Sequence, residues 1–245
     1  MNNNRIITVF GSKGGVGKTT VAVNLATVLS LAGHRTALLD FDLQFGDASV
    51  YLDLDSKQGI CELVQEGSLS KDMIQSYMMT HKTGLSLLSA SERPEYAEIV
   101  QSKHGEEIIN GIYTEYDFTF IDLSPQMNEF NLLALEKSDL ILYIVNPDIS
   151  TLRSAKKTLE LMKVLKLANK VEVVLNREDD NIIKAKEIES LMKLKFIDKI
   201  PIENKYAVAS LNQGVPIVMN ARKCKMAKRL TEFAIKIGEG NYGVT

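Results

Sequence analysis

Residues 11–20 read Gly-Ser-Lys-Gly-Gly-Val-Gly-Lys-Thr-Thr, a glycine-rich turn that closes on a lysine and a hydroxyl. Backbone amides can cradle a phosphate chain only where no Cβ intervenes, and Gly14, Gly15 and Gly17 leave that approach open while accepting unusual φ values. Lys18 would then set an ammonium between the β- and γ-phosphates, and Thr19 would offer its hydroxyl to the accompanying Mg²⁺. Carboxylates follow two further apolar runs. Asp40 and Asp42 come directly after Thr36-Ala37-Leu38-Leu39; the first suits metal-bound water, the second an attacking water that must be oriented or deprotonated. Asp122 ends the run Phe118-Thr119-Phe120-Ile121.

Such residues need a strand, a turn and a helix to hold them. Ile6-Ile7-Thr8-Val9-Phe10 suits a buried parallel strand, and Val21, Leu25, Val28 and Leu29 recur at helical spacing after the turn. Strand-like runs near residues 6, 37, 85, 118, 140, 171 and 198 alternate with helix-patterned segments. That alternation predicts an α/β fold: right-handed β-α-β units building a mostly parallel, twisted sheet flanked by helices on both faces. Ligand crevices in such sheets lie beyond the carboxyl ends of the strands, where Asp40, Asp42 and Asp122 fall. No repeat, linker or low-complexity tract divides residues 1–245, so one domain is expected; residues 43–84 are its least regular part.

The turn departs from the general P-loop pattern, with Ser12 in place of a glycine and an additional lysine, Lys13, after it. Lys13-Gly14-Gly15-Val16-Gly17-Lys18-Thr19 resembles the deviant P-loop of the MinD/ParA ATPases, P-loop NTPases of the SIMIBI class. The resemblance implies ATP and Mg²⁺ as cofactors, a cradle reaching through Val16 to Thr20, and Mg²⁺ held by Thr19, Asp40 and a Walker B aspartate at Asp122. It implies an ATPase whose catalytic set is Lys13, Lys18 and Asp42. It also implies a nucleotide-sandwich homodimer in which Lys13 crosses the interface to the partner's nucleotide. Asn176, in Leu175-Asn176-Arg177, matches the position that reads the adenine edge, and Pro201 and Ile202 match the loop beside the base. Residues 212–216, Asn-Gln-Gly-Val-Pro, are typical of MinD-like ends. Asp148 matches an acidic position near the opposite subunit's nucleotide, although Asn146-Pro147-Asp148 is equally an ordinary turn. Pro125 stands three residues after Asp122, one further than in MinD-like chains, so the loop from Leu123 to Asn128 is expected to take a path of its own.

Finer matches point to one branch. Asp42-Leu43-Gln44-Phe45-Gly46-Asp47, Gly84-Leu85-Ser86-Leu87-Leu88 and Ser150-Thr151-Leu152-Arg153-Ser154-Ala155 resemble the TadZ/CpaE pilus-assembly branch. That resemblance implies a localisation ATPase for a pilus, secretion or flagellar machine, with a protein partner at the cell pole or inner membrane. Beside it stand a DNA-partitioning ParA-type ATPase, a metabolic P-loop enzyme, and a nucleotide-dependent scaffold that hydrolyses little.

Composition narrows these classes. A net charge of −2 and a pI near 6.0 give no global pull toward nucleic acid, so DNA binding would need a local patch. Cys61 and Cys224 are the only cysteines and lack metal-ligand spacing, which points to a reducing cytoplasm and argues against iron–sulphur relatives. No apolar stretch approaches membrane-spanning length, and the short Met1–Asn4 lead leaves no room for a signal peptide. Arg153, Lys156, Lys157, Lys163 and Lys166 share a helix with Leu152, Leu159, Met162 and Leu165, either as a solvated face over a core stripe or as a docking surface. Arg222, Lys223, Lys225, Lys228 and Arg229 flank Met226, Leu230, Phe233 and Ile237, a stripe expected to pack in the core. The tail from Gly238 to Thr245 is too polar to insert in lipid. His34, His81 and His104 read as surface or capping residues.

Overall fold

Runs of Val, Ile, Leu and Phe with no polar alternation become strands buried on both faces. The computed structural model describes residues 4–91, 93–179 and 184–242; the expectations placed on Met1–Asn3 and on the last three residues of the tail lie outside these. The described residues form strands β1 (Arg5–Phe10), β2 (Thr36–Phe41), β3 (Met79–Thr80), β4 (Ser86–Leu88), β5 (Phe118–Leu123), β6 (Leu140–Val145), β7 (Val171–Glu178) and β8 (Phe196–Pro201). They lie in one sheet in the order β3-β4-β2-β5-β1-β6-β7-β8. All pairings are parallel except that of β3 with β4. Every residue of β2, β5 and β6 is buried, which is why these read so plainly as apolar runs. The two-residue β3 was not foreseen, since it is too short to show a period.

Helices cover both faces, as expected. They are α1 (Lys18–Leu31), α2 (Ala48–Tyr51), α3 (Ile60–Gln65), α4 (Lys71–Tyr77), α5 (Ser102–Ile112), α6 (Glu129–Lys137), α7 (Ile149–Val164), α8 (Ala185–Met192), α9 (Asn204–Gln213), α10 (Ile217–Asn220) and α11 (Lys225–Glu239). One core layer joins Val21, Leu25 and Leu29 of α1 to Leu230, Phe233 and Ile237 of α11 and Ile217 of α10. The other joins Ile108 of α5, Phe130 and Leu135 of α6, Met162 of α7 and Ile188 of α8. The irregular segment 43–84 resolves into short helices α2 to α4, each too brief for a helical period to stand out.

The α11 stripe is wholly buried against the core, while Arg222, Lys223, Lys225 and Lys228 face solvent. Arg229 departs from that solvated set: its guanidinium pairs at 2.5 Å with Asp198, whose side chain is fully buried. Among the histidines, His104 accepts the Gln101 N–H at 3.1 Å as a helix cap, and His34 packs edge-on against Phe118. His81 is a correction: it is 4% exposed, with Nδ1 bonded to Thr83 Oγ1 at 2.9 Å. Both cysteines are free and buried.

Candidate nucleotide site

The glycine-rich turn leaves β1 and enters α1, with Gly17 as the N-cap in a left-handed conformation at φ 96°. Gly15, at φ 74°, is left-handed too, so two of the glycines carry the conformational requirement. Gly14 differs from expectation: its φ is not left-handed, and its place on the cleft wall leaves the space beside it open. A Cβ at Gly11 would lie 2.9 Å from the Ile144 carbonyl of β6, so the turn begins in a close approach to the neighbouring strand. Ser12 replaces the usual glycine for a visible reason. Its hydroxyl bonds Tyr143 Oη of β6 at 2.6 Å, anchoring the turn to the sheet.

Register gathers the carboxylates. Asp40 sits directly beside Asp122 where β2 pairs with β5, and both are 1% exposed. Asp122 accepts a 2.5 Å hydrogen bond from Thr19 Oγ1 through one oxygen; its other oxygen is buried without a partner. Asp40 accepts N–H groups from Ala48 at 3.0 Å and Asp42 at 3.3 Å. Two buried carboxylates side by side disfavour their own ionisation. Burial, with the Asp122 charge behind it, pushes Asp40 well above the usual carboxylate range. Burial likewise raises Asp122 to about 7, against the opposing pull of the Thr19 hydrogen bond and Lys18. Asp42 is raised by burial and pulled back by the Lys18 ammonium.

An orphaned carboxylate oxygen beside a hydroxyl and a second buried carboxylate fits a hard divalent cation. Among the described residues no three His, Cys, Asp or Glu side chains converge as a self-sufficient cage, so a cation here needs phosphate oxygens or water to complete its shell.

The surrounding cleft has a volume of about 630 Å³ and is walled by the turn, by residues 41–47 after β2 and by the loop after β5. A smaller cavity of about 190 Å³ opens beside it, bringing Asn176 and Arg177 together with Pro201 and Ile202. Asn176 is 2% exposed and donates Nδ2–H to the Val16 carbonyl at 2.8 Å, while its Oδ1 is buried without a partner. A Cβ on Gly17 would collide with that amide.

The loop after Asp122 is tied to α6. Asn131, on α6, donates through Nδ2 to Ser124 O at 3.1 Å, Ser124 Oγ at 2.8 Å and Gln126 O at 2.7 Å. Lys13 and Asp148 are not brought into the cleft. The Lys13 ammonium donates to Ser150 Oγ at 2.5 Å. Asp148 caps α7, accepting Thr151 N–H at 2.8 Å and Thr151 Oγ1–H at 2.6 Å. Tyr51, Asn131 and Tyr143 escaped the sequence reading. Tyr143 had a signal, a phenol inside an otherwise aliphatic strand; Tyr51 and Asn131 had none at motif spacing.

Residues 4–176 match the AAA_31 family model, described as an AAA domain. The septum site-determining protein MinD of Helicobacter pylori is 27% identical over 248 residues, an alignment covering 95% of this chain and 90% of that protein. The crystal structure of a ParA family ATPase from Chlorobium tepidum TLS superposes with a TM-score of 0.88 at 23% identity, covering 96% of this chain and 99% of the other. MinD of Pyrococcus horikoshii OT3, solved in complex with Mg-ADP, superposes with a TM-score of 0.84 at 22% identity, covering 95% of each chain. At these identities the structural likenesses establish the P-loop NTPase fold.

Proposed function

Because the chain belongs to the AAA_31 family, P-loop ATPases of the MinD/ParA type, we propose that it binds Mg-ATP, closes as a nucleotide-sandwich homodimer and hydrolyses ATP as a localisation switch. The observation that carries this reading is the meeting of Lys18, Thr19, Asp40, Asp42 and Asp122 at the carboxyl ends of the adjacent strands β2, β5 and β1. A triphosphate, a cation and a water all find their chemistry there.

The amides of residues 14–17 and the start of α1 bind the β- and γ-phosphates, with the 7%-exposed Lys18 supplying a partly desolvated charge. Thr19, Asp40 and Asp122 would hold Mg²⁺, which when bound would neutralise charge on the phosphate oxygens. Asp42, made more basic by burial, orients the attacking water. As the water oxygen bonds to the γ-phosphorus, the bond to the bridging oxygen breaks and ADP leaves. The unused Asn176 Oδ1 accepts the exocyclic amine of adenine, with Pro201 and Ile202 beside the ring. Lys13 acts on the second copy's triphosphate, so only nucleotide-loaded chains gain from pairing.

The stretch from Asp42 to Asp47 and the start of α7 support a place in the TadZ/CpaE branch, hence a role positioning a pilus or secretion machine through a protein partner. Recruitment to a pole or membrane would come through that partner, since among the described residues no helix is long and apolar enough to cross a bilayer. Phosphate release tests the reading. Asp42→Ala should lower the ATP-dependent rate at least about 100-fold, and Lys18→Ala should abolish it; rates equal to wild type in both would overturn it.

A further inference from the structure

The phosphate cleft and the base cavity meet at a throat that no sequence motif supplies in full. Gly17, Thr20, Tyr51 and Arg177 line both spaces, so a ligand with phosphates on the turn and a base against Pro201 passes between these side chains. Tyr51 is placed firmly. It ends α2, whose first residue donates its N–H to Asp40 at 3.0 Å, and α2 packs against α9.

At the throat Tyr51 Oη and Thr20 Oγ1 share a hydrogen bond of 2.9 Å. Each hydroxyl carries one proton, and the shared bond uses only one of the two. One O–H is therefore left to donate into the throat. The portion of a nucleoside phosphate that crosses there includes the ribose, whose hydroxyl oxygens accept it. Burial holds the phenol above its ordinary pKa, so it stays protonated.

We propose that Tyr51 is a nucleotide-contacting residue: its hydroxyl, paired with Thr20, recognises the ribose, and its ring forms the wall between phosphates and base. The proposal rests on the nucleotide-binding reading above. It makes Tyr51 a determinant of discrimination between nucleotides and bare polyphosphates.

The test is calorimetric titration of ADP and of inorganic tripolyphosphate, each with Mg²⁺, into wild type, Tyr51→Phe, Tyr51→Ala and Lys18→Ala. Tripolyphosphate reports on the glycine-rich turn alone. Tyr51→Phe should weaken ADP about five-fold, and Tyr51→Ala more, while tripolyphosphate affinity stays within about two-fold and Lys18→Ala loses both ligands. Tyr51→Phe binding ADP as tightly as wild type would overturn the assignment. Equal losses for ADP and tripolyphosphate would also overturn it, because Tyr51 would then only brace the turn. Wild type binding neither ligand would overturn the nucleotide reading itself, and the assignment with it.

Discussion

Asp122 concentrates the tension of the site in one side chain. Burial raises its folded pKa to about 7 from the ordinary 3.8, so the folded chain favours the protonated form. The stability this confers is complete below the unfolded value and is lost as pH rises through 7. Asp122→Asn should therefore stabilise the nucleotide-free protein at pH 8 by on the order of 2 kcal/mol, with little change at pH 4, while weakening Mg²⁺-nucleotide binding. Thermal melts at both pH values check this; an equal shift at the two would refute it. Residues at motif spacing were legible in the sequence: Lys18, Thr19 and Asp42 line one cleft, and Asp40 and Asp122 lie buried side by side, with Asp122 bonded to Thr19. Asn131 and Tyr51 were not, because Asn131 ties the loop after β5 to α6 and Tyr51 joins a short helix to Thr20, relations that sequence spacing does not encode.

Elements were legible in proportion to their length and burial. β1, β2, β5 and β6 are continuous apolar runs because both faces are covered, whereas β3 and α2 are too short to show a pattern. The α11 stripe illustrates how burial decides between readings of an amphipathic helix. Leu230, Phe233 and Ile237 are at most 1% exposed, so the stripe is core and is not available to lipid. Leu230→Ala should cost about 2–5 kcal/mol and Lys228→Ala less than about 0.5 kcal/mol, as denaturant titration would measure; similar small effects for both would contradict the packing. Gly17 ties turn to strand. With left-handed φ and Asn176 against it, Gly17→Ala should destabilise the fold by about 1–3 kcal/mol and weaken ADP binding more than Gly14→Ala, whose side of the turn is open.

For the whole molecule, the separation of Lys13 from the cleft is the decisive arrangement. Within one chain its ammonium rests on Ser150 at 2.5 Å, beside the capped start of α7, so it contributes nothing to the cleft that Lys18 serves. In the proposed dimer, a second copy placing its Lys13 over the triphosphate would give both chains a reason to pair only when loaded, and hydrolysis a reason to part. Mass in solution tests that switch most directly, measured with ADP and with ATP plus Mg²⁺ for wild type, Lys13→Ala and Asp42→Ala. The prediction is a 27.3 kDa monomer with ADP, a doubling with ATP that Lys13→Ala abolishes, and a dimer that Asp42→Ala holds closed. A single unchanging mass across all these states would contradict it.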